Sequence, residues 1–181
     1  MHFLCVQCRK YYPEFRVSIN LSYVQILKSP LMMELKQIIE HSGISCSGII
    51  VELTESGYLE GTPAVRSVWN DMKKLRIQIA LDDFGTGYSN LMNISNLEPD
   101  IVKLDRGFTL KALSRSYEYQ LMQYVIEMVH KLNQYVCVEG VETKEDLEKI
   151  KALGPDLIQG YYYSKPCSRD EFLKKFFDYS E

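Results

Sequence analysis

Two adjacent carboxylates, Asp82 and Asp83, end an apolar run in the stretch IALDDFGTGYSNL (Ile79 to Leu91), and their adjacency is a chemical problem. Like charges held side by side in a half-buried place repel, so one takes up a proton or both need a cation. Gly85, Thr86 and Gly87 follow at once, which lets the backbone turn sharply and leaves room for something bulky to approach. Asn20, Glu52, Lys103, Glu139 and Gln159 likewise fall at or near the ends of short apolar runs. Asn20, Glu52, Asp82, Asp83 and Glu139 are hard oxygen donors with no thiolate or imidazole among them, a set suited to Mg²⁺, Mn²⁺ or Ca²⁺ over zinc or copper. Their four carboxylates could support two divalent ions about 3.5 to 4 Å apart, which would polarise a phosphoryl group and lower the pKa of a bridging water. In such chemistry Lys103 would hold or orient the water and Glu139 would accept its proton. The bland alternative is a carboxylate–lysine network that satisfies only itself; spread over five strands, it is the weaker reading.

The runs that carry these residues are VSINL (Val17 to Leu21), IIVEL (Ile49 to Leu53), IQIAL (Ile77 to Leu81), IVKL (Ile101 to Leu104), YVCVE (Tyr135 to Glu139) and DLIQG (Asp156 to Gly160). Between them apolar residues recur at helical spacing, as in Val65, Val68, Trp69, Met72 and Leu75, or Leu121, Val125, Met128, Val129 and Leu132. Punctuation agrees: Ser29-Pro30 and Thr62-Pro63 read as N-caps followed by Pro at the first helical position, and Gly43 and Gly154 stand where helices should stop. Ser168 with Glu171 reads as a capping box ahead of Phe172, Leu173, Phe176 and Phe177.

Alternating strands and helices imply an α/β fold with a parallel sheet, open or closed. Six units in 181 residues suit an open doubly wound sheet or six of the eight units of a (β/α)₈ barrel, which uses about 31 residues per unit. The strand ends separate the two. An open sheet gathers functional groups at one switch point, whereas a closed barrel brings every strand tip round one mouth. Here a polar group stands at or near the end of every run, so the expectation is an incomplete TIM-barrel-like fold of about six βα units. Glu52 and Lys103 interrupt apolar runs and must be paired if buried.

An apolar fraction of 46% supports a real core, and the length suits one domain over residues 1–181. A formal net charge of −3 gives no drive toward a nucleic acid polymer or an anionic membrane, so an anionic ligand must be handled locally, for example through metal ions. Five cysteines form no regular framework, and no stretch reads as a membrane span or signal peptide, which sets a reducing, cytoplasmic expectation. Cys5 and Cys8 make a lone C-x-x-C, better read as incidental thiols than as a zinc site.

The stretches VSINLS, VELTES, LDDFGTGYSNL, DIVKLD, VEGVET and LIQGYYYSKP, in that order from Val17 to Pro166, closely resemble the EAL domain family, bacterial phosphodiesterases that hydrolyse cyclic di-GMP. The resemblance implies a (β/α)₈ barrel with metal ligands at Asn20, Glu52, Asp82, Asp83 and Glu139, holding two Mg²⁺ or Mn²⁺ ions, with Ca²⁺ as an inhibitory substitute. It implies that Lys103 aligns the catalytic water, that Glu139 or a hydroxide generated at the metal is the base, and that Gln159 completes the site. It also implies that Glu55 steadies the loop after the paired aspartates, where Gly85, Thr86 and Gly87 respond to substrate and to a dimer partner. Expected partners are cyclic di-GMP, a second copy, and a sensor or GGDEF domain attached in the full-length protein.

One departure bears on activity. The family is named for a Glu-Ala-Leu motif whose glutamate is itself a metal ligand, and no such tripeptide occurs in this sequence. Six units of eight then imply a domain lacking its first strands, with unpaired strand edges that invite another chain. Three functions compete: an impaired cyclic di-GMP phosphodiesterase domain giving linear pGpG; a non-catalytic cyclic di-GMP-binding or dimerisation module; and another metal-dependent barrel enzyme, such as a lyase on carboxylate substrates.

Overall fold

Strict alternation of side chains along short strands gives this chain two different sheet faces. The computed structural model describes residues 8–9, 11–28, 31–42, 45–54, 63–86, 94 and 97–177. Glu55, Gly87, Cys5, Ser29, Pro30, Gly43 and Thr62 lie outside them. The strands β1 (Val17–Asn20), β2 (Ile49–Thr54), β3 (Gln78–Phe84), β4 (Ile101–Leu104), β5 (Tyr135–Glu139) and β6 (Leu157–Gln159) form one sheet in chain order. Each neighbouring pair is parallel. The sheet curls into a half-barrel with helices on its outer side, as right-handed crossovers between sequential parallel strands require.

On the outer face Ile49, Val51, Leu53, Ile79, Leu81, Val102, Leu104, Val136 and Val138 belong to one core with the helices. Helix α1 is Tyr23–Lys28, α2 Leu31–Ser42, α3 Pro63–Lys74, α4 Arg106–Ser114, α5 Ser116–Lys131, α6 Lys144–Lys151 and α7 Arg169–Phe177. Helix α3 supplies Val65, Trp69 and Met72, spaced one helical turn apart as the sequence suggests. Pro63 opens it, where a missing N–H costs nothing. On α5 the buried stripe is Met122, Ile126 and Val129. Leu121 and Leu132, which the sequence spacing groups with the core, are exposed. Apolar residues occupy both flanks of this helix, and packing against α4 and β5 selects the inner one. Helix α7 follows the expected box: Ser168 N–H donates to Glu171 Oε2 (2.8 Å), and Glu171 N–H donates to Ser168 Oγ (3.3 Å). Helix α6 has a box of its own between Thr143 and Asp146.

A repeated device starts two strands. Pro-Asp precedes β4 (Pro99-Asp100) and β6 (Pro155-Asp156). Asp100 Oδ2 accepts from Ile79 N–H and Asp156 Oδ2 from Val136 N–H, both at 2.8 Å. Each carboxylate thus ties the foot of its strand to the neighbouring strand, a charge-assisted bond at the end opposite the polar tips.

Strand β3 departs from the sequence reading. The apolar run suggests a strand closing at Leu81, but β3 continues through Asp82 and Asp83 to Phe84. Leu81 pairs with Val102 and Phe84 with Leu104, so two residues of β3 face one of β4. This is a β-bulge. Asp83 takes a left-handed φ of 61° within it, and Asp105 N–H donates to Phe84 O to close the ladder beyond.

Candidate active site

The inner face of the curl carries a floor and a ring. Ile50, Ala80, Ile101 and Cys137, one from each of β2 to β5, form a small buried cluster. Two residues further along the same strands stand Glu52, Asp82, Lys103 and Glu139, because side chains two apart share a face. The apolar layer offers the charges no hydrogen-bonding partner beneath them, so they satisfy one another. Lys103, 5% exposed, does this. Its Nζ lies 2.8 Å from Glu52 Oε2, 2.9 Å from Asp82 Oδ1 and 2.7 Å from Glu139 Oε1. One ammonium has three protons to donate, and each meets a carboxylate on a different strand.

The charges of this quartet do not cancel. Three carboxylates face one ammonium, an excess of two negative charges, and Asp83 stands beside them. Burial opposes Lys103's charge, but hydrogen bonds to Glu139, Glu52 and Asp82 outweigh it and hold the amine above its ordinary pKa. Burial, joined by the fields of Asp82 and Glu52, lifts the Glu139 carboxyl above its usual value even against the Lys103 hydrogen bond. Burial and the charges of Asp82 and Asp105 raise Asp83 likewise. The site is short of positive charge, and a divalent cation would supply it. Among the described residues no three acidic, histidine or cysteine side chains converge on one ion position; they converge on Lys103. The donors match a hard cation in kind and in charge, but in this arrangement Lys103 takes them up.

The bulge answers the question raised by adjacent aspartates. By placing two residues where a regular strand has one, it lets both carboxylates stand at the rim while Asp82 Oδ1 accepts from Asp83 N–H (3.0 Å). Asp tolerates the left-handed conformation better than most residues.

The remaining sequence-derived residues are spread along the same rim. Asn20 ends β1 opposite Glu52 in register and is exposed. Gln159 ends β6 opposite Glu139. It lines a hollow of about 340 Å³ with Arg106, Glu139, Gly140, Glu142, Gly160 and Tyr161. A larger cavity of about 550 Å³ runs under Glu52 and Lys103 along the inner face, reaching Arg16 and Ser18 on one side and Phe172 and Phe176 on the other. Gly85 follows β3 with φ 104°, and Thr86 beside it is exposed. Two residues at the rim went unassigned in the sequence: Arg106, whose Nε and Nη2 both donate to Glu142 Oε1 (3.2 and 2.7 Å), and Glu142 itself. Glu142 lies within the VEGVET stretch, which is the one signal that could have raised it.

Comparison with known proteins places this geometry. The EAL domain family matches residues 2–166. Among relatives, the chain is 32% identical over 154 residues to the cyclic di-GMP phosphodiesterase PdeF of Escherichia coli K12, covering 85% of this chain and 21% of that protein. The chain spans about a fifth of the length of the first curated relatives it matches. Among solved structures, the EAL enzyme Bd1971 in its cAMP- and cyclic-di-GMP-bound form superposes with a TM-score of 0.89 at 29% identity, covering 96% of this chain and 47% of that one. The manganese/cy-diGMP complex of Klebsiella pneumoniae BlrP1 shares the fold with a TM-score of 0.79 at 24% identity, covering 92% of this chain and 45% of that one. Half-barrel, motif order and family match over most of the chain agree: the chain belongs to the EAL domain family.

Proposed function

We propose that this chain carries a metal-dependent cyclic di-GMP phosphodiesterase site, hydrolysing cyclic di-GMP to linear pGpG, and that residues 1–181 belong to a single EAL-type domain. The observation that carries the reading is the Lys103-centred quartet, with its uncompensated negative charge, at the strand ends of a chain whose relatives include named cyclic di-GMP phosphodiesterases. Glu52, Asp82, Asp83 and Glu139, with Asn20, would hold Mg²⁺ or Mn²⁺. Bound there, such an ion supplies positive charge that polarises a phosphoryl oxygen and acidifies water.

The chain's own groups do the rest. Lys103 gives its three ammonium protons to carboxylates in this arrangement; with those carboxylates taken up by a cation, a freed proton would orient water beside a phosphate while the amine stays charged. Glu139, whose carboxyl is already shifted toward taking up a proton, is suited to receive one from that water. Gln159, opposite Glu139, would contact substrate. Glu55, Gly85, Thr86 and Gly87 would shape the loop after β3.

A second reading is a non-catalytic cyclic di-GMP-binding or dimerisation module. The capture of three carboxylates by Lys103 favours it. Chromatography after incubation with cyclic di-GMP and Mn²⁺ separates the two. Formation of pGpG that is lost on Lys103→Met, Glu52→Gln or Glu139→Gln supports the enzyme. Binding without product supports the module. If the first strands supply ligands, fusion of an upstream segment carrying a Glu-Ala-Leu motif raises the rate.

A further inference from the structure

Glu139 is the most exposed of the three carboxylates on Lys103, at 18% for its side chain against 9% and 13% for Glu52 and Asp82. It is also the last residue of its strand. Something beyond β5 has to hold it, and the loop Gly140 to Glu142 is gripped from both sides. Toward β4, Glu142 is bound through two hydrogen bonds by Arg106, 36 residues earlier in the chain. Gly140, with φ 81°, lies flat against the same side chain: a Cβ there would come within 2.8 Å of Arg106 Cβ. Arg106 is itself anchored, because the preceding Asp105 donates its N–H to Phe84 O and caps α4 by accepting from Gly107 N–H at 2.7 Å. Toward β6, Val141 N–H donates to Gln159 O (3.3 Å) and Tyr162 N–H to Val141 O (3.0 Å). A Cβ at Gly160 would overlap the Val141 backbone.

From this clasp we infer that Arg106 and Glu142 are positioning residues: their ion pair sets the end of β5 so that the Glu139 carboxylate meets Lys103 Nζ. The inference rests on the reading of Glu139 as a site carboxylate. The pair is 58% and 39% exposed, so its loss changes global stability little, whereas the placement of Glu139 depends on it directly. Groups that orient the ligands of a metal site typically change its affinity about 10- to 100-fold when removed.

The test uses the 181-residue chain and four variants: Arg106→Ala, Glu142→Gln, Gly140→Ala and the exchange Arg106→Glu with Glu142→Arg. Acetic anhydride labelling followed by mass spectrometry reads the exposure of Lys103, with Lys111 as an internal control. Titration calorimetry with Mn²⁺ alone reads the site, and a thermal midpoint reads the fold. Expected are Lys103 labelling about fivefold faster and Mn²⁺ binding about tenfold weaker in the three single variants, with thermal midpoints close to that of the parent in Arg106→Ala and Glu142→Gln and a lower one in Gly140→Ala, where the positive φ adds strain of its own. The exchanged pair restores both readouts. Unchanged Lys103 labelling in Arg106→Ala and Gly140→Ala overturns the inference. So does faster labelling matched by a general fall in the thermal midpoint of Arg106→Ala and Glu142→Gln. A parent chain that binds no Mn²⁺ counts against the proposed function instead, and Lys103 labelling still decides the clasp.

Discussion

Replacing Lys103 by methionine is the sharpest perturbation of the site. Methionine keeps the length and fills the space over Ile101 and Cys137, so the change removes a charge and little volume. Three carboxylates then face one another over an apolar floor, at positions that in the parent lie 2.7–2.9 Å from Nζ. Leaving a buried charge without its partner costs about 3–5 kcal/mol. With a urea m-value of about 2 kcal/mol/M, the midpoint should fall by about 2 M at pH 8. The sign of the pH dependence follows from linkage. Without the ammonium, the Glu139 carboxyl, which burial already raises, loses the hydrogen bond that opposes that shift and holds its proton more tightly folded than unfolded. Its penalty is then absent below the unfolded carboxylate range near about pH 4 and grows as pH rises through it. Acidification from pH 8 toward pH 5 should therefore recover part of the loss, and Mn²⁺ should stabilise the variant more than the parent. Urea denaturation at both pH values, with and without Mn²⁺, measures this. A loss under about 1 kcal/mol at pH 8, or a deficit that acidification does not shrink, would refute the reasoning.

Other substitutions report on separate parts of the account. Asp83→Asn keeps a side chain that accepts the left-handed backbone but removes a carboxylate whose pKa burial and Asp82 raise; it should gain about 1 kcal/mol or less at pH 7, vanishing below the ordinary Asp range, in parallel urea titrations. Burial, with Glu139 beside it, pushes the Cys137 thiol up to about 12. At pH 8 a disulfide reagent should label exposed Cys167 and leave Cys137 untouched until urea unfolds the chain, as read by mass spectrometry. Ile79→Ala, in the outer core, should cost about 2–5 kcal/mol by denaturation while leaving the thiol pattern of the folded state unchanged.

How far the sequence foretold this site depends on the length scale of each feature. Glu52 and Lys103, each interrupting an otherwise apolar run, together with polar groups at the other strand ends, pointed to a polar rim, because a buried charge must be paired. That Lys103 would bind three strands at once was hidden, since register comes from helix-to-sheet packing and not from any strand alone. The bulge was misread as a strand end for a local reason: two adjacent aspartates look like a surface, and only the pairing of Phe84 with Leu104 shows the strand running on. The face of α5 was ambiguous because Leu121 and Met122 are equally apolar and one of them had to face solvent. Arg106 carried no local signal and Glu142 only its place in the VEGVET stretch; 36 residues separate them, and neither interrupts an apolar run.

Titration calorimetry of cyclic di-GMP into the chain, with Mn²⁺ and then with a chelator, tests the central claim most directly when repeated on Glu52→Gln combined with Asp82→Asn. The account predicts binding that requires the metal and disappears in the double variant while the fold persists. Binding indifferent to chelator and substitutions, or no binding with Mn²⁺ in excess, would contradict it.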